Sequence, residues 1–381
     1  NTSLYMAGSG GSTTPYYTPL TNMVVLPGDQ TASIYGPSRG AVGCTLLGAG
    51  TLYYNSTYVR DSISGDWSAF TGPIILSGNA TGGNIGLNVT NGFPNSFVTI
   101  NTNVALYGTV AGTPTIPIGA LDGGDSSCLI ESTTSGGGGG AATIFAIGGL
   151  NANTGYGGGM IDNVGLLKVG TGTFTLHGGD ALTTNIVLAL DGVTYYTNMV
   201  ASTNPVVYTG STTVSNGTLA LVLPVVLTNS TSVTLASSAA VLDASAMGYV
   251  TNEYDYDFYT VTNAMNVTNG IFEVVAGQSF NGIGTLTGNL QADAGSILNP
   301  GNVTGNPATG TGTGSMTVSG NATLNGTINF RLNTANAVNG DKLAASSSAI
   351  SGATLVVPHV GQAVTGSNVF NAFRWMWTLQ R

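Results

Sequence analysis

The sequence predicts an all-β chain whose short strands are wound into stacked coils, a β-solenoid. Three observations predict it. Apolar residues seldom recur at helical spacing, and strong helix formers are scarce. Short runs rich in Thr and Val alternate apolar and polar positions and end at Gly, Asn or Ser. One bland phrase returns along the chain: "GLLKVGTGTFTLHGGDALTT" (165–184), "GIGTLTGNLQADAGSILNPG" (282–301) and "GTGTGSMTVSGNATLNGTINFRL" (310–332). A sandwich built from hairpins would use two-residue turns such as Asn216-Gly217 and Asn325-Gly326. The repetition favours stacking, in which each coil buries its apolar residues on the coil below and Gly and Asn serve the corners.

Four stretches follow in order. Residues 1–56 are an N-terminal segment or cap with the first coils; their opening, "NTSLYMAGSGGSTTPYYTPL", is uncharged and suits a cap or a donated arm. Residues 57–164 continue as coils. Residues 165–357 carry the clearest alternation. Phe174 and Leu176 oppose Thr173 and Thr175 there, Leu219 and Leu221 share a face, and Met316 and Val318 are followed by Leu324 and Ile328. Residues 358–381 end in "NVFNAFRWMWTLQR", where Phe373, Trp375, Trp377 and Leu379 face one way and Arg374, Met376, Thr378 and Gln380 the other. That row reads either as a terminal strand closing its own core or as an interface strand that adds to another copy by β-augmentation.

Charge is the scarcest commodity. Only 6% of the 381 residues are charged, against about 25% in an ordinary globular protein. Seven Lys+Arg against sixteen Asp+Glu leave a net charge of −9, which argues against nucleic acid and anionic membranes as partners. No run of 18 apolar residues is present, so membrane insertion through a helix is not expected. An opening Asn1 without methionine fits a mature product whose export signal has gone, and the Thr- and Asn-rich surface suits an extracellular setting.

Chemistry-bearing residues are few. The best cluster is "NEYDYDFY" (252–259), which places Glu253, Asp255 and Asp257 at alternate positions. On a strand these carboxylates share a face at a spacing of about 7 Å. They suit a solvated loop between coils; as a site they would hold Ca²⁺ through oxygen ligands or serve glycoside hydrolysis. No EF-hand spacing accompanies them, and no cofactor is otherwise expected. The cations Arg39, Arg60, Lys168, Arg331, Lys342, Arg374 and Arg381 are scattered, and His177 and His359 lie far apart. "GGGGG" (136–140) lacks the Lys-Ser/Thr and the helix of a phosphate loop.

The phrase at 165–184, followed by "YTGSTTVSNGTLAL" (208–221), resembles the autotransporter-associated β-strand repeat, with an insertion near 180–207 between its halves. "SFNGIGTLTGNLQADAGSILNPGN" (279–302) is similar to the next coil of those proteins, and "DKLAASSSAISGATLVV" (341–357) to their late coils. "VRDSISGDWSAFTGPIILSG" (59–78), "IPIGALDGG" (116–124) and "FAIGGLNANTGYGGGMIDN" (145–163) resemble the coils that precede the repeat. The resemblance implies a right-handed parallel β-helix forming a single elongated rod, on an exported bacterial protein that is often an autotransporter passenger. It also implies about 20 residues per coil, hence about 19 coils and a rod of about 90 Å at the strand spacing of about 4.8 Å. Lys168 stands at the repeat's own lysine, expected to be a structural surface residue. No outer-membrane barrel pattern follows the repeats. Cys44 and Cys128 would lie about four coils, or about 19 Å, apart, beyond the roughly 7 Å a disulfide spans, so two buried free thiols are expected.

The functional expectation is a non-enzymatic structural protein of the bacterial cell surface, self-associating into fibres or a layer. The rivals are a polysaccharide-binding or polysaccharide-cleaving β-helix, with a surface glycan as partner, and an adhesin passenger fragment.

Overall fold

The computed structural model describes residues 2–5, 23–36, 40–56, 60–80, 82–132, 142–178, 183–188, 195–200, 206–222, 225–247, 250–253, 264–267, 270–304, 313–333, 340–358 and 360. All regular elements among them are strands, and the pairings between coils are parallel. The chain is a parallel β-helix with three columns of stacked strands.

Within a coil the chain visits the columns in a fixed order. Val24–Leu26 belongs to the first, Thr31–Gly36 to the second and Ala41–Val42 to the third. The next coil repeats this with Leu46–Gly48, Thr51–Ser56 and Asp61–Ile63, each pairing in parallel with its counterpart. Far along the chain the same order holds for Ser279–Gly282, Thr285–Thr287 and Asn289–Ala292. Counting from Thr2–Tyr5 to Thr354–Val356, the described strands make fourteen coils.

Fourteen coils is fewer than the roughly 19 expected from 20 residues each, and the register explains the shortfall. Some steps are short: Ala32↔Leu52 advances 20 residues, Ile74↔Val98 24, Phe145↔Leu166 21 and Phe280↔Leu298 18; others are intermediate, Thr115↔Ile144 advancing 29, Ile297↔Thr327 30 and Ile328↔Leu355 27. Two coils are far longer. Leu166↔Thr212 advances 46 residues and Val233↔Phe280 47. Each long step contains an antiparallel pair, Thr183–Leu188 with Tyr195–Val200 and Val250–Glu253 with Ala264–Val267. Loops are tolerated here because lengthening a connection costs only about 0.6 kcal/mol per doubling, while the stacked strands on either side keep their register. At about 4.8 Å per layer the fourteen coils span about 62 Å, shorter than the expected rod.

The core is a set of apolar columns, one residue per coil. Phe174, Leu219, Leu242 and Leu286 stack in register, as do Ile85, Leu106, Ile130 and Met160. All are buried. Alternation makes this work: in Thr173–Leu176 the two apolar side chains point inward and the two threonines outward. The corners need special backbone. Gly217 has φ +65°, and a Cβ there would lie 2.5 Å from the Gly170 carbonyl oxygen. The Asn-Gly pair therefore turns a coil corner rather than a hairpin.

Two features tie coils together with side chains. Asn299 donates to Asn281 at 2.7 Å, and Asn329 donates to Asn299 at 2.8 Å, forming a buried asparagine ladder across three coils. Its lower end reaches Thr234 Oγ1 at 3.2 Å. The repeated phrase supplies these residues at one corner, as "FNG", "LNPG" and "INF". Second, "D-x-S" triplets close local turns: Ser68 donates to Asp66 at 2.7 Å and Ser245 to Asp243 at 2.6 Å, and Ser127 donates to Asp125.

Candidate functional site

The residues singled out from the sequence divide between described and undescribed parts. Glu253 ends a strand whose antiparallel partner residue is Ala264. Asp255 and Asp257 lie outside the described residues, as do Phe373, Trp375, Trp377 and Leu379. Neither the calcium reading nor the interface reading is therefore decided by the fold. Among the described residues no group of three or more His, Cys, Asp or Glu side chains is placed to hold a metal ion. Cys44 and Cys128 are both buried and free, as expected.

Lys168 differs from its expected surface role. Its register partners are Ile147 and Val214, so it occupies an inward column position, and it is buried. The ammonium reaches the adjacent corner and donates to the carbonyls of Val169 at 2.6 Å, Gly170 at 2.9 Å and Asn216 at 3.2 Å. Burial lowers its pKa to about 8. A long side chain is the element here that can leave an apolar column and still satisfy carbonyls turned inward at the corner.

Arg331 and Asp341 form a buried, bidentate pair. Nε lies 2.8 Å and Nη2 3.1 Å from the carboxylate oxygens. Asp341 also accepts the backbone N–H groups of Arg331 at 2.9 Å and Gly314 at 3.0 Å, and Arg331 Nη2 donates to the Gly301 carbonyl at 2.5 Å. The pair thus pins the chain on either side of 334–339 to the coil beneath.

A third concentration of polar groups sits on the third column. Tyr107 pairs in register with Gly86 below and Glu131 above. Its ring crosses Gly86 so closely that a Cβ there would be 3.0 Å from it. Glu131 is 2% exposed, and its Oε1 has no hydrogen-bond partner. Burial, with a smaller contribution from the Asp162 charge, raises its carboxyl to about 7. Burial, reinforced by Glu131 and Asp61 and opposed by Arg60, pushes the Tyr107 hydroxyl to about 12. Arg60 has φ +65°, and its backbone N–H donates to Asn84 at 2.9 Å.

A carboxyl that titrates near neutrality beside a phenol has the makings of an acid–base pair. Here both groups are buried under the chain's own packing. A substrate has no described route to them, and their arrangement is that of polar residues caught between stacked coils. Sequence reading missed this cluster because Asp61, Tyr107, Glu131 and Asp162 are spread over 102 residues and meet only through the coil repeat. It also missed the Arg331–Asp341 clamp, treating the arginine as one scattered cation. It passed over the "D-x-S" triplets as well, although an Asp two residues before a Ser is a local signal for each of those three turns.

Compared with models of known protein families and with curated proteins, the chain matches none.

Proposed function

We propose that this chain is a non-catalytic structural rod of an exported bacterial surface protein, and that copies of it associate into fibres or a layer. The observation that carries the reading is where the few charges go. Lys168, Arg331 and Asp341 are spent inside, bonding one coil to the next. One outward column is an uncharged ladder: Thr173, Thr218, Val241, Thr285 and Thr317 stand in register over five coils. A face of this kind has little self-repulsion, so neighbouring rods can pack without paired charges. Electron microscopy of the purified protein in negative stain tests the proposal. Fibres or sheets that appear as concentration rises are expected; dispersed single rods at every concentration would refute self-association.

A further inference from the structure

The third column changes character along the rod. In Asn321–Leu324 its outward residues Asn321 and Thr323 are exposed, and only the inward Ala322 and Leu324 are buried. In Gly83–Leu87 and Val104–Gly108 every position is buried, on both faces of the strand. The outward row there is Gly86, Tyr107 and Glu131, in register. This covered row ends in a carboxyl group whose Oε1 has no hydrogen-bond partner. Its neighbour Ser132 is buried too and accepts the Asn163 N–H at 3.0 Å, which ties the segment to the coil above. The groups around Glu131 come from three coils. Tyr107 stands directly beneath it, and Asp162, at the corner above, adds a like charge. Asp61 and Arg60 lie two coils below Tyr107 and act on its hydroxyl, in opposite directions.

We propose that Glu131 is a proton-held latch: while it is protonated the outer face of the third column stays closed over Tyr107 and Glu131, and its ionisation opens that face while the rest of the stack keeps its register. A neutral carboxyl is tolerated beneath the packing. A carboxylate in the same place has an orphan oxygen, a like charge above it and no water, which is far more costly. Relief comes from the outer side, because the inner side of these strands is the apolar column of Leu106 and Ile130. Opening stays local because each coil of a stack contacts only its neighbours. The sign follows from linkage. Burial, with the Asp162 charge adding to it, lets the closed carboxyl keep its proton up to about 7, whereas an open one loses it near the ordinary 4.5. Opening therefore becomes easier as pH rises between those values and no easier above them. The latch does not depend on the self-association proposed above.

Native-state hydrogen exchange of the intact chain from pH 5 to 7.5, each rate divided by its intrinsic rate at that pH, tests the latch. Protection of Val104–Gly108 and Leu129–Glu131 is expected to fall by about five- to tenfold per pH unit up to about pH 7 and then level off. Thr173–Leu176 and Gly217–Val222, in later coils, should keep constant protection. In E131Q, which keeps the shape and cannot ionise, the fall at 104–108 and 129–131 should vanish. Three results would overturn the proposal: protection at 104–108 and 129–131 that does not change with pH, a fall shared equally by all four segments, or a fall that persists in E131Q. The comparison between segments needs only the wild-type chain, so a variant that failed to fold would leave the test intact.

Discussion

Removing the Asp341 carboxylate should be among the most damaging single changes available in this chain. In D341N the Arg331 guanidinium stays buried beside a neutral amide, and the backbone N–H groups of Arg331 and Gly314 lose a charged acceptor. Breaking a buried pair from one side costs about 3–5 kcal/mol, most of it the penalty for the stranded charge. The double substitution R331M/D341L removes both charges and keeps the volume, so it should cost less than D341N alone, by about 2 kcal/mol or more. Guanidinium unfolding of the four members of this cycle gives the comparison. Hydrogen exchange at Gly314 and Arg331 shows whether the loss is local, as stacked repeats allow. If D341N and the double variant were equally destabilised, the stranded-charge reasoning would fail. If D341N cost under 1 kcal/mol, the clamp itself would be of no consequence.

The other predictions concern burial. Glu131 has a folded pKa, about 7, above its ordinary 4.5. The folded chain therefore holds a proton that the unfolded chain releases, and stability from this group is full below about 4.5 and lost as pH rises through 7. E131Q should stabilise the protein by about 2 kcal/mol at pH 8, after allowance for partial solvent screening, and by almost nothing at pH 4. A gain independent of pH in denaturant titrations would contradict this origin. K168M should fit its apolar column yet destabilise by about 2–3 kcal/mol, because three corner carbonyls lose their donor; an unchanged midpoint would show that water replaces the ammonium. Both cysteine thiols should resist a thiol reagent in the native state and react at two equivalents per chain once unfolded; prompt native labelling would refute their burial.

Much of the fold was legible in the sequence because stacking is a local rule applied repeatedly. Phe174 and Leu176 alternate with Thr173 and Thr175, and each coil must bury that apolar face on the next one. The pattern therefore announces both the strand and the face it hides. The number of coils was not legible. Nothing local in "ALTTNIVLAL" says that the strand Thr183–Leu188 leaves the stack for an antiparallel partner instead of advancing it. Pairing direction is a choice between partners, and each partner is encoded elsewhere.

The polar sites mark the same boundary more sharply. The asparagine ladder could be read from the recurring corner phrase, since identical positions in successive coils must meet. Glu131 beside Tyr107, and Asp341 beside Arg331, could not. Glu131 is buried only because coils above and below enclose it, and Asp341 meets Arg331 because the chain returns to the same corner after ten residues. By itself the sequence determined the strand period, the coil repeat and the scarcity of charge, which are properties of short segments. Tertiary structure alone decided which charges are buried and what they bond, because desolvation and Coulomb pairing depend on what lies within a few ångströms in space rather than along the chain.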